Sequence, residues 1–288
     1  MTEPAAIACA ADEAYAEMAG VMLRSLAMRG GVAGVPVYLV GDGLAEETRA
    51  ALRLCAKGLD FRFIDLAAAR ARIGHLPVSF YNAAIYIRLL LPDLVPGGGR
   101  ILYLDSDILI NRPMASLLET PLAGNLAAAV VDGGLPHVHA MANARLGRAA
   151  GAPYFNSGVL MFDLGTWREQ GIGPHCIRTA QARQDYWPDQ DALNLVLDGR
   201  IKQLDARWNF FFTRILPRAA YEAAHIVHFI LDKPVSTDCR HPMFADYLEI
   251  RAMTPWRDRP LATSVRQRRI DQLVHMVGER VRRQRGEG

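Results

Sequence analysis

Residues 101–110 read Ile-Leu-Tyr-Leu-Asp-Ser-Asp-Ile-Leu-Ile, so two carboxylates interrupt an otherwise apolar run. An apolar run of this kind predicts a buried strand, and burying a carboxylate without a compensating charge is costly. Asp105 and Asp107 are two residues apart, and in extended backbone such side chains project to the same side. Like charges placed in this way raise each other's pKa unless a cation lies between them. The stretch therefore predicts a strand that ends at a charged site.

Two interpretations of the acidic pair are open from these residues alone. A hard divalent cation prefers oxygen ligands, so magnesium or manganese fits the pair, and the phosphates of a nucleotide would supply the remaining ligands. The alternative is a turn cap after an ordinary buried strand, because the Asp-x-Asp tripeptide is short and common. The apolar residues on both sides of Asp105 and Asp107 favour the metal site.

Around this stretch, apolar runs of strand length alternate with segments of helical spacing. Such alternation predicts an α/β fold with a mostly parallel sheet flanked by helices. Ligands bind such sheets beyond the carboxyl ends of the strands, where Asp12 and Asp105 fall. Strands are predicted at 5–11, 35–40, 61–64, from 101, at 126–131 and at 224–231, helices at 15–28, 46–57, 79–91 and 192–197, and a mobile loop or short helix at 133–151. We expect Pro92 to end the helix at 79–91.

Composition limits the class of protein. A chain of 288 residues that is 51% apolar can build a large core, and one domain with a C-terminal extension is expected. No apolar run approaches the roughly 18 residues that cross a bilayer. Acidic residues near the N-terminus stand where a signal peptide would have a basic region and an apolar block, so a soluble, cytoplasmic protein is predicted. The cysteines, Cys9, Cys55, Cys176 and Cys239, are scattered, which argues against zinc and disulfides and predicts core positions.

The basic character of the chain belongs to its C-terminal end. Residues 251–288 carry ten arginines and four acids, a balance of +6 in a chain of net charge +3, so residues 1–250 sum to −3. We predict a domain at 1–250 and a basic extension at 251–288. Within the extension, apolar spacing predicts a helix at 264–285 that binds anionic membranes, and a solvated tail is an equal alternative. Nucleic-acid binding is not expected, because interleaved aromatic residues are absent.

Six motifs occur in the order and spacing of a known family. They are Ala10-Ala11-Asp12 with Tyr15, Arg88, the stretch 102–107, Tyr154-Phe155-Asn156-Ser157-Gly158-Val159-Leu160, Asp189-Gln190-Asp191 with Asn194, and His228 with Lys233-Pro234. From about residue 7 to residue 234, the chain resembles the retaining glycosyltransferases of family 8, which include bacterial lipopolysaccharide galactosyl- and glucosyltransferases and glycogenin. The resemblance implies a GT-A type nucleotide-sugar-binding fold for residues 1–250, a UDP-sugar donor and Mn²⁺, with Mg²⁺ as the second candidate.

The resemblance also implies roles for individual residues. The metal ligands are Asp105, Asp107 and His228, the donor-binding residues are Asp12, Tyr15, Arg88, Asp105, Ser106, Asn156, Ser157 and Lys233, and the catalytic residues are Gln190, Asp189 and Asp132. For His228 the alternative is a satisfied core histidine, but an acidic pair that needs a third ligand favours the metal. Asp12 is equally well explained as a helix cap, and Asp132 has the alternative of a strand-end residue. Since an amide is a poor nucleophile, Gln190 favours same-face attack over a covalent intermediate.

Two segments depart from the family pattern. Ala14 stands where a polar residue is common, and Lys233 follows His228 by five residues rather than six, without the usual glycine and tryptophan. The implied function is transfer of a hexose from UDP-galactose or UDP-glucose to a glycan or lipid-linked saccharide, with retention, in lipopolysaccharide or cell-surface glycan synthesis. The altered segment motivates one alternative, a nucleotide-sugar-binding scaffold without turnover. A nucleotidyltransferase is less favoured, because the glycine-rich, lysine-bearing loop of such enzymes is absent.

Overall fold

A seven-stranded sheet forms the centre of the molecule. The structure, a computed structural model, describes residues 5–73, 83–133, 136–183, 187–211, 216–230 and 232–262. Its strands are β1 (Ala6–Asp12), β2 (Pro36–Asp42), β3 (Asp60–Asp65), β4 (Arg100–Leu104), β5 (Ile108–Ile110), β6 (Ala127–Val131), β7 (Phe155–Asp163), β8 (Ile201–Leu204) and β9 (Ile226–His228). The central sheet has the order β3-β2-β1-β4-β7-β6-β8, in which β7 runs antiparallel to its neighbours, and β5 pairs with β9 in a separate small sheet.

Helices cover both faces of the central sheet. They are α1 (Ala16–Arg29), α2 (Glu46–Cys55), α3 (Leu66–Ile73), α4 (Ile87–Leu94), α5 (Ala115–Leu118), α6 (Pro136–Leu146), α7 (Leu164–Glu169), α8 (Ile172–Arg183), α9 (Pro188–Val196), α10 (Arg218–Ala223) and α11 (Phe244–Arg251), with short 3₁₀ helices at Ala83–Tyr86 and Ala206–Trp208. Side chains of β1 alternate between two cores: Ile7 and Cys9 pack towards α1 and α2, and Ala8 and Ala10 towards α4, α8 and α9. The predicted mostly parallel α/β architecture is confirmed.

Most predicted elements lie within a few residues of the observed ones, and the exceptions have physical causes. Pro92 lies inside α4, which continues to Leu94, so the prediction that it ends the helix was wrong. The helix predicted from residue 192 begins at Pro188, where the missing N–H of a proline costs nothing in the first turn. Residues 133–151 include helix α6, and β8 was not predicted because it is short and carries a polar residue on each face. The first part of the helix predicted at 79–91 lies outside the described residues.

The acidic pair lies in a turn rather than in extended backbone. Strand β4 ends at Leu104, Ser106 and Asp107 form a turn, and β5 begins at Ile108. The two carboxylates do lie close together, but strand alternation is not the reason, so that part of the prediction was wrong. The turn itself, which follows the carboxyl end of a central strand, carries both carboxylates to the edge of the sheet where ligands bind.

The small sheet brings a distant histidine to this turn. Strand β9 pairs antiparallel with β5, so that His228 lies opposite Ile108, the residue after Asp107. The Phe229 N–H donates to the Asp107 carbonyl at 3.0 Å, which extends the pairing past the end of the strand. The strand predicted at 224–231 is observed only at Ile226–His228, and its pairing with β5 places His228 beside the turn.

The C-terminal part of the described chain packs on the body of the domain. The Arg251 guanidinium donates to the buried Glu17 carboxylate of α1 at 2.6 Å, and Trp256 lies against Gly20. The domain boundary at 250 stays a prediction, and the basic helix predicted at 264–285 lies outside the described residues. Cys9, Cys55, Cys176 and Cys239 are buried free thiols, as predicted. In the part of the chain that the structure describes, no helix has the length and apolarity needed to span a bilayer.

Candidate active site

Two carboxylates and one imidazole converge at the carboxyl end of β4. Ligand atoms of Asp105, Asp107 and His228 all lie within 4.8 Å of one another. The His228 Nε2 atom is 3.1 Å from Asp107 Oδ1 and 3.7 Å from Asp105 Oδ2. His228 and Asp107 are buried, and Asp105 is partly exposed towards the cleft. Oxygen and nitrogen donors at this spacing suit a divalent cation that keeps open positions for a substrate.

Gly158 packs directly against this cluster. Its carbonyl accepts a hydrogen bond from the Asp105 N–H at 2.8 Å, which fixes the backbone of the first carboxylate. A Cβ atom at this position would lie 2.3 Å from Cε1 of His228 and 2.6 Å from Oδ2 of Asp105. The glycine of strand β7 is therefore required for the close approach of both residues to the sheet.

Arg88 neutralises the carboxylates on the other side of the cluster. Its buried guanidinium contacts Asp105 Oδ1 at 2.8 Å and Asp189 Oδ2 at 3.1 Å, and it donates to the Ser157 hydroxyl at 2.6 Å. Tyr103 donates its hydroxyl to Asp105 Oδ1 at 3.0 Å and lies under the guanidinium. Burial raises the pKa of Asp189, and the charge of Arg88 opposes that shift. Arg88 thus forms ion pairs with two acids.

Lys233 reaches the metal-ligand cluster despite the altered segment around it. Its ammonium forms an ion pair with Oδ2 of Asp107. Burial works to raise the pKa of Asp107, but the charges and hydrogen bonds of Lys233 and His228 outweigh it, so the pKa is lowered. The sequence predicted that the two aspartates raise each other's pKa unless a cation lies beside them, and the Lys233 ammonium is such a cation at Asp107.

Gln190 lies at the centre of a second hydrogen-bonded group. Its Oε1 atom accepts from the Ser157 N–H at 3.0 Å and from Asn156 Nδ2 at 3.1 Å. Its Nε2 atom donates to the Tyr154 hydroxyl at 3.3 Å, and that hydroxyl donates to buried Asp191 at 2.7 Å. The residues predicted to surround the donor sugar are thus in contact with one another. Asp189, Gln190 and Asp191 all lie in the first turn of α9.

Three other predicted residues lie near the Asp105–Asp107–His228 cluster. Asp12 ends β1, and its carboxylate accepts from the Tyr15 N–H at 2.9 Å in the turn before α1; Tyr15 is itself the N-cap of that helix, which has no side-chain cap, so Asp12 is not the helix cap of the alternative interpretation. The Tyr15 ring is 38% exposed at the start of α1, so a flat face is available to a ligand. Partial burial raises the pKa of Tyr15, and the nearby charge of Lys233 opposes the shift. Ser106 is buried in the turn between the two aspartates.

Asp132 lies at the end of β6, beside the Gln190 group. Its carboxylate contacts His139 Nε2 at 3.2 Å, and its N–H donates to the Tyr154 carbonyl at 2.8 Å. The His139 ring stacks on Tyr154 with centroids 5.8 Å apart. Asp132 is therefore connected through Tyr154 to the hydroxyl that contacts Gln190.

Sequence reasoning missed two residues of the site. Asn209 is buried and accepts from the His228 ring at 2.9 Å, and Tyr103 holds Asp105. Tyr103 was detectable, because a residue two positions before Asp105 projects to the same side of a strand. Asn209 follows a short 3₁₀ helix in a segment without periodicity, so no local signal indicated it.

The chain is similar to known proteins in both structure and sequence, and they include sugar-transferring enzymes. The galactosyltransferase LgtC, in complex with donor and acceptor sugar analogues, superposes with a TM-score of 0.74 at 25% identity, over 87% of this chain and 98% of that one. General stress protein A of Bacillus subtilis (strain 168) is 26% identical over 273 residues, 87% of this chain and 93% of the relative. The lipopolysaccharide 1,2-glucosyltransferase of Escherichia coli (strain K12) is 23% identical over 271 residues, 88% and 79% of the two chains.

The fold and the carboxylate–imidazole cluster define a glycosyltransferase of GT-A type. The sequence model described as glycosyl transferase family 8 matches residues 6–234, and the chain belongs to that family. The predicted resemblance is confirmed, and hexose transfer is the enzymatic activity that fits these relatives.

Proposed function

We propose that this chain is a retaining hexosyltransferase. It moves galactose or glucose from a UDP-sugar to a saccharide acceptor in lipopolysaccharide or another cell-surface glycan. The observation that carries the proposal is that the Asp105–Asp107–His228 cluster and Gln190 contact adjacent residues of β7: the Asp105 N–H donates to the Gly158 carbonyl, and the Ser157 N–H donates to Gln190 Oε1. The names of the lipopolysaccharide glucosyltransferase and galactosyltransferase relatives support the acceptor class.

Asp105, Asp107 and His228 would hold Mn²⁺, with Mg²⁺ as the second candidate. The chemistry of the donor set supports this order, since an imidazole beside two carboxylates suits manganese better than the harder magnesium ion. When bound, such a cation neutralises the charge of the departing diphosphate. Lys233, which already faces Asp107, adds a point charge for the same phosphates.

The donor would extend from the base side to the sugar side of the cleft. Tyr15 stacks on the uracil ring, and Asp12 accepts from it. Arg88 and Ser157 bind the phosphate and sugar hydroxyls, and their mutual contact at 2.6 Å supports a joint role. Asn156 and Asp189 hold further hydroxyls of the hexose. Each of these assignments follows the family motif that the residue matches.

Retention proceeds by same-face attack in this proposal. Gln190 stabilises positive charge that develops at the anomeric carbon. Both lone pairs of its Oε1 atom already accept hydrogen bonds, from Ser157 and Asn156, which makes the amide a still poorer nucleophile and supports the absence of a covalent intermediate. Asp132, connected to the same group through Tyr154, contacts the acceptor.

The contact of Lys233 with Asp107 removes the reason for the alternative of a scaffold without turnover. That alternative rested on the altered segment after His228, in which Lys233 follows by five residues rather than six and the usual glycine and tryptophan are absent. Lys233 nevertheless pairs with Asp107, so the shorter spacing still delivers the cation to the cluster. We therefore retain the enzyme as the single proposal.

A panel of UDP-sugars tests the donor and the stereochemistry. We expect manganese-dependent release of UDP from UDP-galactose or UDP-glucose, slow with water and faster with a saccharide acceptor, and an α-linked product in the anomeric proton signals. Mass spectrometry of the product identifies the hexose that is transferred. An inverted β-linked product, or no turnover with any hexose donor and acceptor, would contradict the proposal.

We also propose that residues 263–288 bind the anionic inner face of the membrane, where lipid-linked acceptors lie. The support is the excess of arginines from residue 251 onward, together with the apolar spacing of the segment. A chain truncated after residue 262 should sediment less with phosphatidylglycerol vesicles than the full chain, and the difference should shrink in high salt. Equal sedimentation of the two chains would remove the membrane contact and leave the solvated tail.

A further inference from the structure

A buried asparagine connects the proposed metal ligand His228 to the proposed sugar residue Gln190. Asn209 is only 2% exposed, and its Oδ1 atom is 2.9 Å from His228 Nδ1. Its Nδ2 atom donates to Asn156 Oδ1 at 2.7 Å. Asn156 in turn donates from Nδ2 to Gln190 Oε1 at 3.1 Å. Three side chains thus form a continuous chain of hydrogen bonds to Gln190.

Backbone groups determine the direction of every bond in this chain. The Gly158 N–H is always a donor, and it faces Asn156 at 3.0 Å, so the atom that it contacts must be Oδ1. The Asn209 atom that faces this oxygen must then be the donor Nδ2. The opposite atom of Asn209 is therefore Oδ1, and the His228 Nδ1 atom beside it must carry the proton.

The same reasoning holds at the other end. The Ser157 N–H faces the same Gln190 atom as Asn156 Nδ2 does, so two donors independently identify it as Oε1. Gln190 Nε2 is then directed to Tyr154. The orientation of each amide follows from two adjacent main-chain N–H groups of β7, and neither end of the chain can reverse without breaking a bond to the backbone.

A neutral imidazole protonated on Nδ1 presents the lone pair of Nε2 to its other side. In this structure that side faces Asp107 Oδ1 at 3.1 Å and Asp105 Oδ2 at 3.7 Å. A lone pair that faces two carboxylates is unfavourable without a cation, and it is the arrangement that a metal ligand requires.

The main chain holds Asn209 in place for this role. The Phe210 N–H donates to the Ile226 carbonyl at 2.9 Å, and the His228 N–H donates to the Phe210 carbonyl at 3.1 Å. Asn209 is therefore attached to strand β9 on its C-terminal side, and the 3₁₀ helix Ala206–Trp208, capped by Asp205, holds it on the other side.

We propose that Asn209 is a positioning residue that selects the Nδ1-protonated tautomer of His228 for metal binding and, through Asn156, couples that ligand to the orientation of Gln190. The inference rests on the proposed function for the metal role of His228. It adds a residue outside the six motifs and predicts that changes at one position affect both metal affinity and sugar transfer.

Two variants at position 209 separate the two halves of the proposal. Asn209→Ala removes both hydrogen bonds, and we expect Mn²⁺ affinity, measured by calorimetry on the full chain, to fall by about 10- to 100-fold. Asn209→Asp keeps an acceptor for His228 but places an oxygen against Asn156 Oδ1. Its Mn²⁺ affinity should stay within about threefold of the wild type, while manganese-saturated turnover of the donor falls by about tenfold or more.

The tautomer is measured directly by ¹⁵N-histidine NMR of the metal-free chain, with the His228 signals identified by their loss in His228→Gln. We expect a protonated Nδ1 in the wild type and in Asn209→Asp, and a shift towards protonated Nε2 in Asn209→Ala. Asn143→Ala is the matched control, because Asn143 is a fully buried asparagine that bonds to Arg148 and Ala152 instead. It should leave the tautomer and the Mn²⁺ affinity unchanged.

The results that overturn the inference differ from those that overturn the proposed function. A wild-type His228 without a proton on Nδ1, an unchanged Mn²⁺ affinity in Asn209→Ala, or wild-type turnover in Asn209→Asp would each refute the role of Asn209. If His228→Ala itself binds Mn²⁺ as tightly as the wild type, the metal assignment fails instead. If Asn209→Ala does not fold, the near-isosteric Asn209→Asp still tests the coupling.

Discussion

Asp107→Ala should abolish manganese-dependent turnover of the UDP-hexose while leaving the fold intact. Asp107 contacts His228 at 3.1 Å and pairs with Lys233, so its loss removes one proposed metal ligand and leaves the Lys233 ammonium without its carboxylate partner. A metal that neutralises the leaving diphosphate contributes several kcal/mol to the transition state, which corresponds to roughly a thousandfold or more in rate. Steady-state release of UDP measures the loss.

Two controls separate this effect from unfolding. Circular dichroism and thermal unfolding should show a folded chain, because Asp107 lies in a turn at the cleft and not in either sheet core. Asp258→Ala removes an exposed carboxylate that pairs with Arg257, and it should turn over the donor like the wild type. Full activity of Asp107→Ala, or full activity of the wild type with an excess of chelator, would show that this cluster holds no catalytic metal.

Gly158→Ala should damage metal binding although it changes no ligand. The added Cβ would lie 2.3 Å from the His228 ring and 2.6 Å from the Asp105 carboxylate, so at least one of them must move. Overpacking of this kind costs about 1–3 kcal/mol of stability, and displaced ligands lose coordination geometry. We expect Mn²⁺ affinity to fall by more than about tenfold and activity to fall with it.

Gly151→Ala is the matched control for this variant. No heavy atom lies within 4 Å of a Cβ added at Gly151, so stability, Mn²⁺ affinity and turnover should all remain close to the wild type. Wild-type metal affinity in a folded Gly158→Ala chain would mean that His228 or Asp105 is not a ligand. A urea unfolding series on both variants measures the stability difference.

Much of the fold could be predicted because its central strands are buried on both faces. Strand β1 reads Ala-Ile-Ala-Cys-Ala-Ala-Asp and has five consecutive buried residues, so an apolar run and its terminal acid were enough to locate it. Strand β8 gave a weaker signal: only Leu204 is buried, and the strand lies at the sheet edge. Short polar edge strands carry little local information, so their pairing depends on tertiary contacts.

The candidate site was predictable where a charge stood in apolar surroundings. Arg88 lies between Ile87 and Leu89 in α4, and the structure pairs it with Asp105 and Asp189. His228 was identified by its resemblance to a family motif, since a histidine on a short strand has no metal-binding signal of its own. Asn209 was not predictable, because its contact with His228 depends on how β9 packs against the residues after the 3₁₀ helix.

We infer that this family 8 chain uses the Asp105–Asp107–His228 cluster to release UDP from a hexose donor. The most direct measurement is UDP release by the purified, chelator-treated full chain from UDP-galactose and UDP-glucose, titrated with Mn²⁺. We expect no UDP release without metal and saturable activation by Mn²⁺, with weaker activation by Mg²⁺. In His228→Ala we expect no activation of UDP release at any metal concentration. Equal UDP release with and without metal, or normal activation of His228→Ala, would contradict it.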